Sequence, residues 1–145
     1  MKCAKLFISR SFFRKVSNKA KGSKAERELV ELFTQHGWRA ARVAGSGVND
    51  NSPCDLFAGK FGKQGCVVEC KSSKKNRIYI TRSQIEDFML FGQMMGLRTV
   101  LAARFNREGW FFLDTLQLED TGANWVVSLE NCKKNGKRFG QFFDS

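Results

Sequence analysis

The sequence lacks the features that mark several protein classes. Its 145 residues contain no repeat, no convincing secretory segment and no apolar run near the roughly 20 residues that a membrane helix needs. No two of its five cysteines have the two-residue gap of a zinc knuckle, and their odd number argues against a disulfide framework. We therefore expect a soluble, cytoplasmic protein with reduced thiols and no membrane partner.

Acidic residues are scarce. The chain has 25 Lys and Arg against 14 Asp and Glu, a net charge of +11, and its first 25 residues contain eight Lys or Arg and no acid. This excess favours a polyanionic partner such as DNA. We interpret residues 1–20 as a basic N-terminal extension, either an arm that lies on phosphates or an organellar transit peptide, because the composition suits both.

The remaining composition favours a folded domain. Hydrophobic residues make up 42% of the chain and include 14 Phe, which a disordered basic chain would lack. At this length one domain is expected, and we assign it to residues 21–145. Cys66 and Cys70 have a spacing that could bind a metal, but burial as small hydrophobic side chains is the favoured interpretation.

Two helices are predicted. Ser23 and Glu26 have the spacing of a capping box, and an apolar stripe follows and ends near Gly37. A second helix begins at Ser83 and runs to about Met95. Its apolar side chains are spread round much of its surface, which predicts two buried faces.

Short apolar segments between Gly and Asn turns predict strands. The second and third are joined by a short basic turn, which favours an antiparallel hairpin. The fourth is expected at the edge of the sheet. Residues 114–145 show a weaker pattern, in which one short strand is predicted near 125–129. The order of elements predicts an α/β or α+β fold with a mixed central β-sheet flanked by helices. The six clearer strands are 38–43, 54–58, 65–70, 78–80, 99–104 and 110–113.

Three charged residues suggest a catalytic site. Glu69 and Lys71 are two apart on a predicted strand, so their side chains share one face. Asp55 lies at the start of the preceding strand and is expected to approach Glu69 across the hairpin. Two carboxylates within ~4 to 6 Å raise each other's pKa unless a cation intervenes. A hard divalent ion suits such oxygen ligands, so Mg²⁺ is the expected cofactor, with Mn²⁺ able to substitute.

The pattern has a simpler explanation. Alternating charges are common on the solvent face of a strand, and the Glu-x-Lys spacing alone favours that interpretation. The apolar pair Val67-Val68 before Glu69 and the strongly basic loops favour a catalytic site over simple surface charges. In that case Lys71 positions or activates an attacking water during phosphodiester hydrolysis.

A longer series of residues accompanies these three: Lys21–Arg27, Arg42, Gly45-Ser46-Gly47, Asp55-Leu56, Glu69-Cys70-Lys71 and Ile78-Tyr79-Ile80. This ordered series resembles archaeal Holliday-junction resolvases of the PD-(D/E)XK nuclease superfamily, from about Lys21 to Leu113. The resemblance implies a restriction-endonuclease-like fold and metal-dependent cleavage of four-way (Holliday) DNA junctions. One departure is that Cys54 separates Pro53 from Asp55, where the superfamily motif has an adjacent proline-aspartate pair.

The resemblance also implies roles for individual residues. Asp55 and Glu69 bind the metal, Lys71 is the catalytic lysine, and Glu26 is a further acidic group that binds metal. From the residues alone, Glu26 could instead serve only as the capping-box carboxylate of the first helix.

DNA contacts are predicted from the same series and from the cationic loop after Lys71. Guanidinium groups beside carboxylates suit phosphate clamping, although Arg27 and Arg42 could be solvated surface charges. Ser46 could donate to a phosphate oxygen or simply turn the chain. The predicted DNA-binding residues are Arg27, Arg42, Ser46, Lys74, Lys75 and Arg77.

The resemblance implies a homodimer whose two sites cut opposing strands. Phe88, Phe91, Met94 and Met95 on the second helix exceed one core-facing stripe. Of these, Phe88, Phe91 and Met95 are predicted to form the interface, unless that helix is simply buried in its own domain. Two other functions share these residues: a repair or restriction-like nuclease with another DNA substrate, and a non-catalytic basic DNA-binding module.

Overall fold

The computed structural model describes residues 24–43 and 52–144. The predicted cap at Ser23 and the basic extension 1–20 lie outside these ranges. The first helix, α1, occupies residues 24–35. The later elements are β1 (Arg39–Arg42), β2 (Leu56–Gly59), β3 (Cys66–Ser73), β4 (Arg77–Thr81), α2 (Arg82–Met95), β5 (Arg98–Phe105), β6 (Gly109–Leu113), a 3-10 turn (Thr115–Gln117), β7 (Glu119–Asp120), β8 (Asn124–Ser128), α3 (Leu129–Asn135) and α4 (Phe139–Phe143).

The central sheet is mixed, as predicted. Its strand order is β1-β2-β3-β5-β6, with β3 and β5 parallel and the other neighbours antiparallel. The predicted hairpin of β2 and β3 is confirmed, with Leu56 opposite Val68. The parallel pairing of β3 with β5 requires a crossover, which β4 and α2 supply. The α+β class with helices packed on a mixed sheet is therefore confirmed.

The strand predicted at 78–80 lies in a different sheet. It forms β4, which pairs antiparallel with β8, and β8 pairs with β7 in a second sheet of order β4-β8-β7. Ile78 and Ile80 are buried while Tyr79 between them is exposed, as expected for an edge strand with one covered face. The partner strand β8 lies in residues 114–145, where the sequence pattern is weakest.

Helix α1 packs on one face of the central sheet. Leu29 and Phe33 are fully buried against the sheet in one cluster with Phe112 of β6. Two aromatic rings of α4 close round Phe33, with centroids 5.0 Å away at Phe139 and 5.2 Å away at Phe143. The C-terminal helix therefore fastens α1 to the sheet, and edge-to-face ring contacts stabilise this arrangement.

Helix α2 packs on the opposite face. Phe88 is 1% exposed and contacts Val67, so its predicted place in a dimer interface is wrong: it is a core residue. Phe91 is half-buried, with its ring 5.9 Å from that of Phe57. Met95 is exposed. The sequence pattern had two explanations, and Phe88 follows the one in which the helix is buried in its own domain.

The cysteines in the described ranges behave as hydrophobic side chains. Cys54, Cys66 and Cys132 are buried and unpaired, and Cys70 is partly buried. Burial raises the pKa of the Cys66 thiol to about 12. Cys66 is 1% exposed, so the burial predicted for it is confirmed. Its neutral thiol is also a poor metal ligand. No helix in the described ranges is both long and apolar enough to cross a membrane.

Candidate active site

Glu69 and Lys71 lie on β3, just beyond the part of this strand that pairs with β2. Val68 and Cys70 pack towards α1, and Val67 packs towards α2. Because side chains alternate along a strand, Glu69 and Lys71 share the face of Val67, as predicted. The pairing with β2 stops at Val68, whereas the pairing with β5 continues to the end of β3. One side of β3 is therefore open at Glu69 and available to other groups.

Asp55 occupies this opening. It directly precedes β2, and its amide donates to the carbonyl oxygen of Val68 at 3.0 Å. Its carboxylate Oδ2 accepts a hydrogen bond of 2.8 Å from the amide of Cys70. Asp55 thus satisfies the backbone N–H of Cys70, which lies beyond the last residue of β3 that pairs with β2. The same bond fixes its carboxylate beside Glu69, as the hairpin geometry predicted.

The two carboxylates repel each other in a poorly hydrated environment. Burial, and then the charge of Asp55, raise the pKa of Glu69 to about 7 against the opposing effect of Lys71. Burial also raises the pKa of Asp55, which the hydrogen bond from Cys70 opposes. Lys71 Nζ lies 3.2 Å from Glu69 Oε1. The pKa values of these two partly buried carboxylates stay raised despite the nearby cations, so the pair has the charge and the oxygen donors that suit a hard divalent cation.

Glu26 on α1 joins this cluster through Arg42 at the end of β1. Arg42 donates to Glu26 Oε2 from Nε at 2.8 Å and approaches the same oxygen with Nη2 at 2.7 Å. The charge of Glu26 raises the pKa of both Asp55 and Glu69. Within residues 24–43 and 52–144, no three acidic, His or Cys side chains stand close enough to enclose a metal ion. Metal binding by Glu26 therefore stays a prediction.

The other predicted DNA-binding residues lie apart from the carboxylates. Arg27 is exposed on α1, and Ser46 lies outside the described residues. Lys74 and Lys75 are exposed in the loop between β3 and β4 and line a cleft of about 450 Å³. Arg77, the first residue of β4, lines a second cleft of about 430 Å³. A basic surface thus continues from the C-terminal end of β3.

Sequence reasoning missed the other wall of the first cleft. Lys24, Glu28 and Arg104 line it opposite the lysine loop. Arg104 pairs in register with Ser72, one residue beyond Lys71. Only the parallel pairing of β3 with β5 brings them together, and no local pattern in the sequence indicates that pairing.

Several known proteins have sequences similar to this chain. A family model described as archaeal Holliday junction resolvase (Hjc) matches residues 17–144. The chain is 38% identical over 107 residues to the crossover junction endodeoxyribonuclease Hjc of Methanocaldococcus jannaschii, covering 74% of this chain and 75% of that protein. It is 32% identical over 133 residues to the enzyme of the same name from Archaeoglobus fulgidus, covering 86% and 96%.

The fold has a counterpart among solved structures. The structure of Archaeoglobus fulgidus Hjc, described as a Holliday junction resolvase from an archaeal hyperthermophile, matches with a TM-score of 0.74 and 27% sequence identity. The match covers 84% of this chain and 94% of that one. The likeness extends beyond the short carboxylate motif and includes the central sheet with its helices.

Proposed function

The chain belongs to the archaeal Holliday junction resolvase family, and from this membership we propose a structure-selective, Mg²⁺-dependent endonuclease that cuts four-way DNA junctions in pairs. The observation that supports the chemistry best is the partly buried pair of Asp55 and Glu69, with Lys71 Nζ at 3.2 Å from Glu69. This combination suits hydrolysis of a phosphodiester, in which negative charge grows on the phosphoryl oxygens. The net charge of +11 suits a DNA substrate.

Asp55 and Glu69 would hold the metal. Both offer carboxylate oxygens, and their raised pKa values reflect a repulsion that a bound cation relieves. When bound there, Mg²⁺ would supply Lewis-acid polarisation of the phosphate and a more acidic water, and Mn²⁺ would substitute for it. We further propose that Glu26 belongs to this acidic group and fixes Arg42 beside it.

Lys71 and Arg42 provide the positive charge that the chain itself brings to the scissile phosphate. The ammonium of Lys71 has three donors, so it can keep its contact with Glu69 and also bind a water or a phosphoryl oxygen. In this role Lys71 orients the attacking water and stabilises developing charge. Arg42 is placed by Glu26 to contact a phosphate of the same strand.

Recognition of the junction would rest on the DNA backbone. The exposed Lys74, Lys75 and Arg77 follow β3, and Arg27 adds a contact from α1. Ser46, which lies outside the described residues, stays a predicted DNA contact. Phosphate contacts position DNA without reading its sequence, so selectivity comes from the shape of the branched substrate.

Paired cleavage requires two sites, and we propose that a symmetric homodimer provides them. Helix α2 exposes Leu90, Met94 and Met95 to 55%, 78% and 52%, next to the half-buried Phe91. A two-fold contact would bury these apolar side chains against their own counterparts. Met95 and Phe91 keep their predicted roles in this arrangement, and Leu90 and Met94 replace Phe88.

Sedimentation analysis of Leu90→Glu tests the dimer. A buried, unpaired charge at the proposed interface should shift the protein to the mass of a monomer. Leu116→Glu is the matched control, because Leu116 is 90% exposed in the 3-10 turn and lies on another element. The interface is wrongly placed should Leu90→Glu remain dimeric, or should both variants dissociate.

Incubation with synthetic DNA tests the enzymatic proposal. Purified protein would be mixed with a four-way junction, a nicked duplex and a linear duplex, each with Mg²⁺ or with a chelator. We expect symmetric paired nicks on the junction only, and only with metal. Equal cleavage of linear duplex would indicate a same-fold nuclease with another substrate, and binding without cleavage under every metal condition would indicate a non-catalytic module. Glu69→Gln should keep junction binding and lose cleavage.

A further inference from the structure

A basic cleft of about 450 Å³ lies between the start of α1 and the loop that joins β3 to β4. Four cationic side chains line it, those of Lys24, Lys74, Lys75 and Arg104. Ser72 and Ser73 also line it and follow the catalytic Lys71 directly along β3. The cleft therefore lies beside the residues that are proposed to bind and cut DNA. One acidic residue, Glu28, stands among these cations and would by itself repel that strand.

The contacts of Glu28 give this carboxylate a specific place. Its Oε1 accepts a hydrogen bond of 2.9 Å from Arg104 Nε and one of 3.0 Å from Trp110 Nε1. Trp110 is buried and belongs to the core cluster under α1, so its indole is a rigid anchor. Arg104 and Trp110 are also direct partners across β5 and β6. Donors on β5 and β6 thus hold a single oxygen atom of Glu28 on α1.

The guanidinium of Arg104 keeps its outer edge available. Glu28 uses only Nε, and the two terminal nitrogens make no hydrogen bond to any residue within 24–43 or 52–144. These two nitrogens carry four N–H groups that can bind a phosphate in a bidentate manner. An arginine side chain held in place before binding loses less conformational freedom when it binds, which strengthens the contact.

We propose that Glu28 is a positioning residue that holds Arg104 in the cleft to bind a backbone phosphate of the DNA substrate. The inference rests on the proposed function for the presence of DNA in this place. Lys24, Lys74 and Lys75 add to the positive charge round the same phosphate. Glu28 itself does not touch the DNA and acts only through Arg104.

If Glu28 positions Arg104, its removal should weaken DNA binding, whereas a simple effect of its negative charge predicts the opposite. If Glu28 acted only as a negative charge, its removal would tighten DNA binding, and Glu28→Gln and Glu28→Ala would behave alike. If it positions Arg104, Glu28→Ala weakens binding. Glu28→Gln retains an amide oxygen that can accept from both Arg104 and Trp110, so it should bind nearly as well as the parent.

The experiment measures the Kd of a fluorescent synthetic four-way junction in chelator over a range of salt concentrations. We expect Glu28→Ala to raise Kd about three- to tenfold and to reduce the salt slope by about one, as for the loss of one phosphate contact. Glu28→Gln should stay within about twofold of the parent. Glu31→Ala is the control, because it removes an exposed acid from the same helix and should leave Kd unchanged or lower.

Arg104→Ala supplies a second, independent arm. It should weaken binding as much as Glu28→Ala, and the double variant should be no weaker than Arg104→Ala alone. In the Arg104→Ala background, Glu28→Gln should tighten binding, because only the repulsion then remains. This arm keeps the test decisive even should Glu28→Ala fail to fold, which thermal unfolding would reveal.

Several results would overturn the inference: unchanged or tighter binding by Glu28→Ala, equal losses in Glu28→Ala and Glu28→Gln, or additive losses in the double variant. A parent protein that binds and cuts the junction while Glu28→Ala binds normally rejects only the role of Glu28. A parent protein that fails to bind the junction rejects the proposed function itself.

Discussion

Replacement of Glu69 by glutamine should stabilise the metal-free protein at alkaline pH even though it removes a group that is proposed to bind the metal. The pKa of Glu69 in the folded protein is about 7, against an ordinary value of 4.5. Below pH 4.5 the carboxyl is protonated in both the folded and the unfolded chain and costs nothing. Between the two values the unfolded chain releases its proton while the folded chain keeps it, so stability falls as pH rises. Above pH 7 the cost is complete.

The size of this cost follows from the pKa difference. A shift from 4.5 to about 7 corresponds to roughly 3 kcal/mol of lost stability. The attraction of Lys71 is already included, because that ion pair lowers the pKa of Glu69. Glutamine resembles the protonated acid and bears no such cost. For a domain of this length, roughly 3 kcal/mol corresponds to a rise in Tm of about 6 to 10 °C.

Thermal unfolding followed by circular dichroism, in EDTA at pH 5 and at pH 8, measures the effect. Glu69→Gln should melt well above the parent at pH 8, and the gap should shrink at pH 5. Added Mg²⁺ should stabilise the parent more than the variant, because cation binding relieves the same repulsion. Glu31→Gln, an exposed acid on α1, is the control and should show no comparable pH dependence. A variant that melts at or below the parent at pH 8 in EDTA would refute the reasoning.

Three further substitutions test the site and the core. Lys71→Met should retain junction binding but reduce the single-turnover cleavage rate by about 100-fold or more, and a loss below tenfold would exclude a catalytic role. Phe33→Ala should lower the free energy of unfolding in urea by about 3 to 5 kcal/mol, because the ring is fully buried among aromatic neighbours. Gly92→Ala should cost about 1 to 3 kcal/mol in the same assay, since a Cβ there would overlap the Thr99 methyl group, and an unchanged midpoint would show that the helix can shift.

The parts of the site that the sequence predicted depend on local geometry. Glu69 and Lys71 share a face because strand side chains alternate, whatever the strand packs against. Asp55 reaches Glu69 because a short turn joins their two strands and sets the register of the hairpin. Both relations lie within about fifteen residues of chain and need no knowledge of the tertiary fold.

The parts that the sequence did not predict depend on long-range pairing. Strand β4 joins a second sheet because β8, from a distant and weakly patterned segment, provides its partner. Arg104 and Glu28 are 76 residues apart and meet only because β5 lies parallel to β3 under α1. On α2, apolar side chains on all sides left the buried face undecided, so Phe88 and Leu90 could be told apart only by packing.

The three acids of the site are compensated in different ways. Glu26 is paired with the guanidinium of Arg42. Asp55 accepts a hydrogen bond from the amide of Cys70, and Glu69 is paired with the ammonium of Lys71. The pKa of both Asp55 and Glu69 is nevertheless raised, so these two groups, which are proposed to hold the metal, gain most from a bound cation.

Several of the cations proposed to hold DNA lie outside this centre. Lys74 and Lys75 are on the loop after β3, and Arg104 is fixed in the cleft beside them. Much of the backbone affinity then comes from side chains that do not contact Glu69. Neutralising Glu69 removes a charge that repels phosphate and leaves Lys74, Lys75 and Arg104 in place. We therefore expect Glu69→Gln to lose cleavage and to retain junction binding.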